Sequence, residues 1–204
     1  MKKFSLVLMG ALFLSAGVMA KSADDGKAVY TIDPQKSKII WTGKKVTGEH
    51  TGTVSIENGE VHVDGENLQL ANVKMDMNSI TCTDLTAEEW NKKLVGHLKS
   101  DDFFSVENHP HSVFEATGFK TGAGENQYIV TGKLTIKGIT HEISFPATVE
   151  VNNGEVSANG TAKIDRTKYD IKYRSGAFFK DLGDNLIYDD FEIEFDLVAT
   201  TNAI

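Results

Sequence analysis

Cysteine and proline are nearly absent from this chain. Its 204 residues include one cysteine, Cys82, and three prolines. A single cysteine excludes an internal disulfide, so packing and hydrogen bonding must hold the fold together. We interpret Cys82 as a small buried apolar residue near the end of a strand, a common environment for an unpaired cysteine.

Basic residues are also fewer than acidic residues. The chain has 21 lysines and arginines against 29 aspartates and glutamates, which gives a formal net charge of −8. Nucleic acid and anionic membrane surfaces attract basic proteins, so this balance disfavours both as partners.

Several motifs that carry chemistry are missing as well. The sequence has no Gly-x-Ser-x-Gly elbow, no phosphate-binding loop and no paired metal-ligand spacing. The nearest approach to a metal motif is His109-Pro110-His111, which no further cysteine, histidine or carboxylate cluster supports. We therefore expect no catalytic residue, no metal and no cofactor.

Long apolar runs are confined to the N-terminus. Two lysines precede a mostly apolar stretch from Phe4 to Phe13, and small residues follow up to Ala20. This pattern predicts a signal peptide over residues 1–20, and the apolar stretch is too short for an integral membrane span. We expect a flexible lead-in over 21–27 and one domain over 28–204, soluble and periplasmic or secreted after cleavage.

The remaining sequence indicates an all-β domain. Glycine is frequent, with 18 residues, and short segments of alternating polarity are separated by turn signals. This arrangement is typical of an antiparallel barrel or sandwich, whereas parallel α/β folds need repeated crossover helices.

Three dipeptides predict two-residue hairpin turns, which fix the register of the flanking strands. Asn58-Gly59 would pair Ile56 with Val61. Lys137-Gly138 would set Ile136 opposite Ile139, and the facing pairs would continue as far as Val130 opposite Phe145. Asn153-Gly154 pairs positions from Val151–Val156 to Ile143–Ile164. The last two turns share one strand, and both place the same apolar residues on one face.

One segment reads as a helix. Thr86 to Glu89 resembles a capping box, and Trp90, Leu94 and Leu98 follow on one face. We expect this helix to pack over an end or a seam of the sheet.

The pattern leaves open whether the interior is filled or hollow. The strand from Val156 to Ile164 presents small residues inward, and the predicted register sets Ala147 opposite Gly160, small against small. Such a pair leaves room, although large residues elsewhere could close the gap.

Four segments resemble the YceI-like family of exported lipid-binding proteins. They are HLKSDDFF at 97–104, LTIKGITHEISFPA at 134–147, IDRTKYDI at 164–171 and IYDDFEIEFDL at 187–197. The resemblance implies an antiparallel, lipocalin-like barrel of about eight strands with an elongated apolar tunnel for an isoprenoid chain, such as a quinone or its precursor. The chain departs from many members in an extended opening loop, 43–53, and in 175–183, which bear on the headgroup and the tunnel entrance.

The strand pattern and the resemblance together assign lumen residues. The side chains expected to contact the ligand are Ile39, Trp41, Met75, Met77, Val130, Leu134, Ile143, Phe145, Ala147, Gly160, Ala162, Ile193 and Phe195. The family motifs also suggest headgroup contacts from His97, Arg166 and Tyr169. Each has a structural alternative: a satisfied helix histidine, a corner-fixing salt bridge and a packed ring.

The leading functional hypothesis is non-catalytic binding, storage or transport of a long apolar lipid in the periplasm. The lipid would be a polyisoprenoid, an isoprenoid quinone or its precursor, held as a ligand rather than a cofactor. Two alternatives stay open: an enzyme that acts on a bound lipid, and a ligand-free packed barrel that serves as an interaction or stress-protective module. A homodimer is compatible with each of them.

Overall fold

A computed structural model of the chain describes residues 26–152 and 154–201. The predicted signal peptide lies outside the described residues. The strands are β1 (Lys27–Ile32), β2 (Lys38–Lys45), β3 (Gly48–Thr53), β4 (Ser55–Asp64), β5 (Asn67–Asp76), β6 (His111–Thr121), β7 (Gln127–Ile136), β8 (Ile139–Asn152), β9 (Glu155–Asp165) and β10 (Ile187–Thr200). Helix α1 spans Glu88–Lys99, and short 3₁₀ turns span Met77–Ser79, Arg166–Tyr169 and Gly183–Asn185.

The strands close into a barrel. The sheet order runs β1, β4, β5, β6, β7, β8, β9, β10, and β10 returns to pair with β1. Every pairing is antiparallel, and β10 meets β1 near Ala199 and meets β2 further along its length. The predicted antiparallel, lipocalin-like barrel of eight strands with one helix is therefore confirmed, with β2 and β3 forming a further hairpin against β10.

The Lys137-Gly138 turn sets the register that the sequence predicts. Both residues have positive φ, 51° and 73°, as a type I′ turn requires. The pairs run from Ile136–Ile139 to Val130–Phe145 as expected. The alternation of β7 and β8 therefore places one apolar face toward the lumen.

The neighbouring hairpin keeps its predicted register over only half of its length. Its pairs run from Val151–Val156 to Ala147–Gly160, and the expected pairs at Phe145 and Ile143 do not form among the described residues. The reason is Pro146, which stands where β8 would next donate an N–H toward β9 and has none to give. The two strands separate beyond this point.

The predicted turn at Asn58-Gly59 is wrong. Both residues lie inside β4, and the chain reverses instead after Asp64. A Cβ on Gly59 would lie 2.5 Å from the carbonyl oxygen of Asn72 and 2.7 Å from Cδ1 of Ile32. Glycine is therefore needed here for close packing between β4 and its neighbours and not for a turn.

Helix α1 begins later than predicted. Its N-cap is Ala87, which makes no side-chain capping bond, so the predicted capping box at Thr86 is wrong. The Asn91 amide fixes the helix start instead by donating to the carbonyls of Cys82 and Leu85. Leu98 packs into the barrel end as expected, but Trp90 is 59% exposed because the first helical turn projects beyond the barrel.

The segment over 43–53 was predicted as an extended loop, which the structure corrects. It forms the end of β2, a tight connection and all of β3. Among the described residues, the single α-helix is too short and too polar to cross a bilayer.

Replacing Gly59 by alanine tests the close-packing role. Gly59→Ala should destabilise the protein by about 1–3 kcal/mol, because backbone and side-chain neighbours of the new methyl group must shift. Gly118→Ala is the matched control, since a Cβ there meets nothing within 4 Å. Denaturant unfolding measures both, and equal free energies for the two variants would contradict the close contact.

Candidate ligand-binding cavity

The barrel encloses a cavity of about 170 Å³. Strands β2 and β4 to β10 contribute to its lining, which is apolar apart from the hydroxyl of Ser112 and the indole N–H of Trp41. That N–H donates to the carbonyl of Thr81 over 2.9 Å and is therefore satisfied. A cavity of this kind binds hydrocarbon rather than a polar ligand.

The predicted lumen residues converge on this cavity, with one exception. Those that line it are Ile39, Trp41, Met75, Met77, Val130, Leu134, Ile143, Phe145, Ala147, Ala162, Ile193 and Phe195. The exception is Gly160, where a Cβ would lie 2.8 Å from Cζ of Phe195. The Phe195 ring therefore fills the space that the facing Ala147–Gly160 pair leaves.

Sequence analysis missed four aromatic rings in the lining, those of Phe104, Phe114, Phe119 and Phe191. The β6 register shifts between Ala116 and Gly118, so Phe114 and Phe119 both face inward despite their odd spacing. Phe104 lies in a turn after α1, where no periodic pattern marks it. Two signals were available: Phe191 stands two residues before Ile193 in the alternating terminal strand, and the spacing of Phe114 and Phe119 can be interpreted once a β-bulge is allowed.

A second, smaller cavity of about 70 Å³ adjoins the first. The two share Trp41, Phe104 and Phe191 in their linings. Three charged residues appear only in the smaller one: Lys44, Arg166 and Asp190. The described cavities therefore run from a wholly uncharged lumen to a partly charged space between β2, β10 and the end of α1.

Arg166 is buried beside this smaller space, with 4% of its surface exposed. Its guanidinium donates to the carbonyls of Ile171 (2.8 Å), Ile187 (2.9 Å) and Tyr188 (3.0 Å). Burial lowers the pKa of Arg166, while Asp189, at 3.5 Å, and Asp165 oppose that shift. These bonds join the turn after β9 to the start of β10, so Arg166 fixes a barrel corner as well as lining the smaller cavity.

Tyr169 lies three residues after Arg166, in the same 3₁₀ turn, but lines neither cavity. Its ring is fully buried and packs edge-on against His141, with ring centroids 5.4 Å apart. Within the described part of the chain its hydroxyl has no hydrogen-bond partner. Desolvation, helped by the charge of Asp165, raises the pKa of Tyr169 to about 12, so the hydroxyl stays neutral.

His97 also lies outside both cavity linings. Its Nε2 is 3.0 Å from Oδ2 of Asp102, and its ring packs edge-on against Phe103 and Tyr173. The helix turns Leu98 toward the barrel and His97 toward these loop residues. The geometry gives His97 the structural role that the sequence left open.

Arg166→Met should destabilise the protein by about 3 kcal/mol or more. The variant leaves three backbone carbonyls at the corner without their hydrogen-bond donors. Leaving these acceptors unpaired costs far more free energy of unfolding than removing an exposed charge. Arg166→Lys, the control, keeps the charge and only part of the hydrogen bonding, so it should recover only part of the loss. Urea unfolding measures both, and a stability of Arg166→Met close to wild type would contradict the corner role.

Tyr169→Phe should be neutral or stabilising by up to about 1 kcal/mol. It removes a buried hydroxyl that no described residue satisfies, and it keeps the ring. Thermal melting of variant and wild type measures the difference. A marked loss of stability would show that the hydroxyl has a partner.

Comparison with known proteins gives a consistent match. A family model described as the YceI-like domain matches residues 30–199. A UPF0312 protein of Pseudomonas putida strain W619 is 32% identical over 158 residues, which cover 76% of this chain and 74% of that relative. The crystal structure of Burkholderia cenocepacia BcnA matches with a TM-score of 0.64 at 28% identity, covering 83% of this chain and 99% of BcnA.

A second solved structure shares the fold at lower identity. It is a polyisoprenoid binding domain from Saccharophagus degradans, implicated in plant cell wall breakdown. The match has a TM-score of 0.61 at 14% identity and covers 85% of this chain and 98% of that domain. At this identity the likeness shows the barrel architecture.

Proposed function

The chain belongs to the YceI-like domain family, and on that premise we propose that it binds a long apolar lipid, of the polyisoprenoid class, in its lumen. The observation that carries the proposal is the cavity of about 170 Å³ in the barrel, with a lining free of charged residues. A polyisoprenoid binding domain from Saccharophagus degradans has a similar fold, and this similarity supports the same ligand class.

The size of the cavity sets the length of chain that it holds. A water molecule needs roughly 10–15 Å³ of such space, so the lumen has room for roughly a dozen water-sized groups such as methylenes. Burying a dozen methylenes at ~0.8 kcal/mol each supplies an upper bound of ~10 kcal/mol before the costs of association. Apolar burial is therefore the main source of affinity for a lipid tail in this lumen.

The polar end of the lipid belongs at the smaller cavity. This space adjoins the lumen and is the described cavity that offers charged groups, Lys44, Arg166 and Asp190. Because Arg166 already donates to three carbonyls, Lys44 is the freer of the two cations, although Glu192 lies 3.3 Å from its Nζ. A longer isoprenoid tail extends from the lumen toward this end.

The role of the protein is storage or transport in the periplasm, without catalysis. Support for export comes from the lysines, apolar stretch and small residues that end at Ala20. The bound isoprenoid is a ligand and not a cofactor. The apolar cavity places no titratable side chain against the tail, which favours binding over chemistry on the lipid.

Organic extraction of the purified protein, followed by mass spectrometry, tests the function directly. Recovery of an unmodified hydrophobic molecule in stoichiometric amount supports the carrier. Conversion of an added isoprenoid to a new product would replace it with an enzyme, and a lipid-free protein that takes up no added isoprenoid would leave only a packed barrel.

Ala162→Phe tests whether the lumen is the binding site. Ala162 faces the cavity beside Ile193, so the added ring should occupy the space of the tail and lower bound lipid several-fold in a folded protein. In a filled core the same change would overpack at a cost of about 1–3 kcal/mol.

Thr161→Phe is the matched control for this variant. Thr161 directly precedes Ala162 on the same strand and points outward, so the phenyl ring introduced there should leave the lipid content unchanged. Extraction and thermal melting are measured together on both variants. Equal lipid content in Ala162→Phe and wild type would remove the lumen as the binding site.

A further inference from the structure

A segment at the rim of the barrel pairs with β3 in the manner of a short additional strand. Residues 81–84 run along the free edge of β3, where Thr81 N donates to Thr53 O (3.0 Å) and Thr83 N donates to Thr51 O (2.9 Å). The return bonds end on side chains: Thr53 N donates to Thr81 Oγ1 (3.1 Å), and Thr51 N donates to Asp84 Oδ1 (2.9 Å). Four hydrogen bonds therefore fix residues 81–84 against β3.

Three further contacts hold this segment in place. A Cβ on Gly52 would collide with the carbonyl of Thr81, so the glycine permits the close approach. Trp41, in the cavity wall, donates its indole N–H to the same carbonyl. From the other side, Asn91 of α1 donates to the carbonyl of Cys82 over 2.8 Å. The segment is thus anchored by a strand, by the lumen wall and by the helix.

This anchoring brings together three side chains that the lipid site does not use. Nδ1 of His50, on β3, is 2.8 Å from Oδ2 of Asp84, and Sγ of Cys82 is 3.2 Å from Oδ1 of Asp84. One donor atom from each residue lies within 4.8 Å of the other two. Cys82 is buried, while His50 and Asp84 reach the surface, so solvent has access to the cluster from one side.

We propose that His50 Nδ1, Cys82 Sγ and a carboxylate oxygen of Asp84 bind a Zn²⁺ ion, with water in the fourth position. Thiolate, imidazole and carboxylate are the protein ligands that zinc takes, and three of them with one open position is a known zinc arrangement. Metal–ligand bonds of about 2.0–2.3 Å set tetrahedral ligand atoms roughly 3.3–3.8 Å apart. The observed spacing reaches that geometry through small side-chain movements.

Charge is balanced in this site. On binding, the Cys82 thiol gives its proton to solvent, and the resulting thiolate and the Asp84 carboxylate neutralise the two charges of the ion. His50 donates from Nδ1–H to Asp84 in the free cluster. On binding, Nδ1 releases this proton to solvent and Nε2 takes one up, so the neutral imidazole exchanges its hydrogen bond to Asp84 for a bond to the metal. The cluster as it stands is a hydrogen-bonded precursor of the loaded site.

Use of Cys82 as a nucleophile fits the geometry less well. Burial raises the pKa of the thiol, and the adjacent Asp84 carboxylate raises it further. His50 bonds Asp84 rather than the thiol, so its imidazole is not directed at the sulfur as a base.

Zinc titration of the chelator-treated, reduced protein without a histidine tag tests the site. In competition with a chromophoric chelator we expect one equivalent to bind. Cys82→Ser, His50→Gln and Asp84→Asn should each weaken binding at least ~10–100-fold, since even outer-shell changes have effects of that size. Co²⁺ should give a thiolate charge-transfer band in the wild type that Cys82→Ser loses.

His111→Gln is the matched control. His111 forms a comparable pair with Glu57, at 2.7 Å and half exposed. Zinc affinity should be unchanged in this variant, whereas an equal loss in His111→Gln and His50→Gln would overturn the proposal.

X-ray absorption of the zinc-loaded wild type supplies a readout that depends on no variant. One sulfur scatterer at about 2.3 Å is expected. Absence of sulfur from the shell, or failure of the wild type to bind one equivalent, would overturn the site. Neither result bears on the lipid content of the lumen, so the two proposals fail separately.

Discussion

The closure of the strand ring is the constraint on which the cavity depends. β10 pairs with β9 along one edge and with β1 and β2 along the other. Closure leaves the ring without a free outer edge, although the β8–β9 ladder stops at Pro146, so the architecture does not need a filled interior to avoid free strand edges. Inward residues of β8 and β10, such as Phe145 and Ile193, are accordingly only partly buried, because they face a cavity instead of a packed centre.

The polar side chains at the corner and at the rim of the barrel lie where the strand pairing is interrupted. Pro146 ends the β8–β9 pairing, and beyond the freed end of β9 the chain turns at Arg166, whose guanidinium takes up three carbonyls. Beyond β2, β3 has no complete neighbour, and the side chains of Thr81 and Asp84 supply the missing acceptors. Charged groups therefore collect at the rim and the corner, while the lumen stays apolar.

Local signals in the sequence were sufficient for the parts of the fold in which neighbouring residues decide the geometry. Lys137-Gly138 fixes a register because both residues take positive φ, and the alternation on either side then follows for ten residues. Alternation in this and other strands, together with the family resemblance, identified twelve lining residues of the cavity. Gly160 escaped because its role depends on the Phe195 ring across the strand pair, a contact that no single strand reveals.

The features that sequence reasoning missed are those decided by distant residues. Asn58-Gly59 has the composition of a hairpin turn, yet β5 and Ile32 require a glycine inside a strand at that position. His50 and Asp84 are 34 residues apart, and the strand that carries His50 was interpreted as a loop. Residues 81–84 are recognisable as the neighbour of this strand only in the structure, because side-chain oxygens of Thr81 and Asp84 take the place of backbone acceptors. A metal-ligand motif read along the chain requires regular spacing, whereas here the fold itself supplies the proximity, so a search for spaced ligands could not find this cluster.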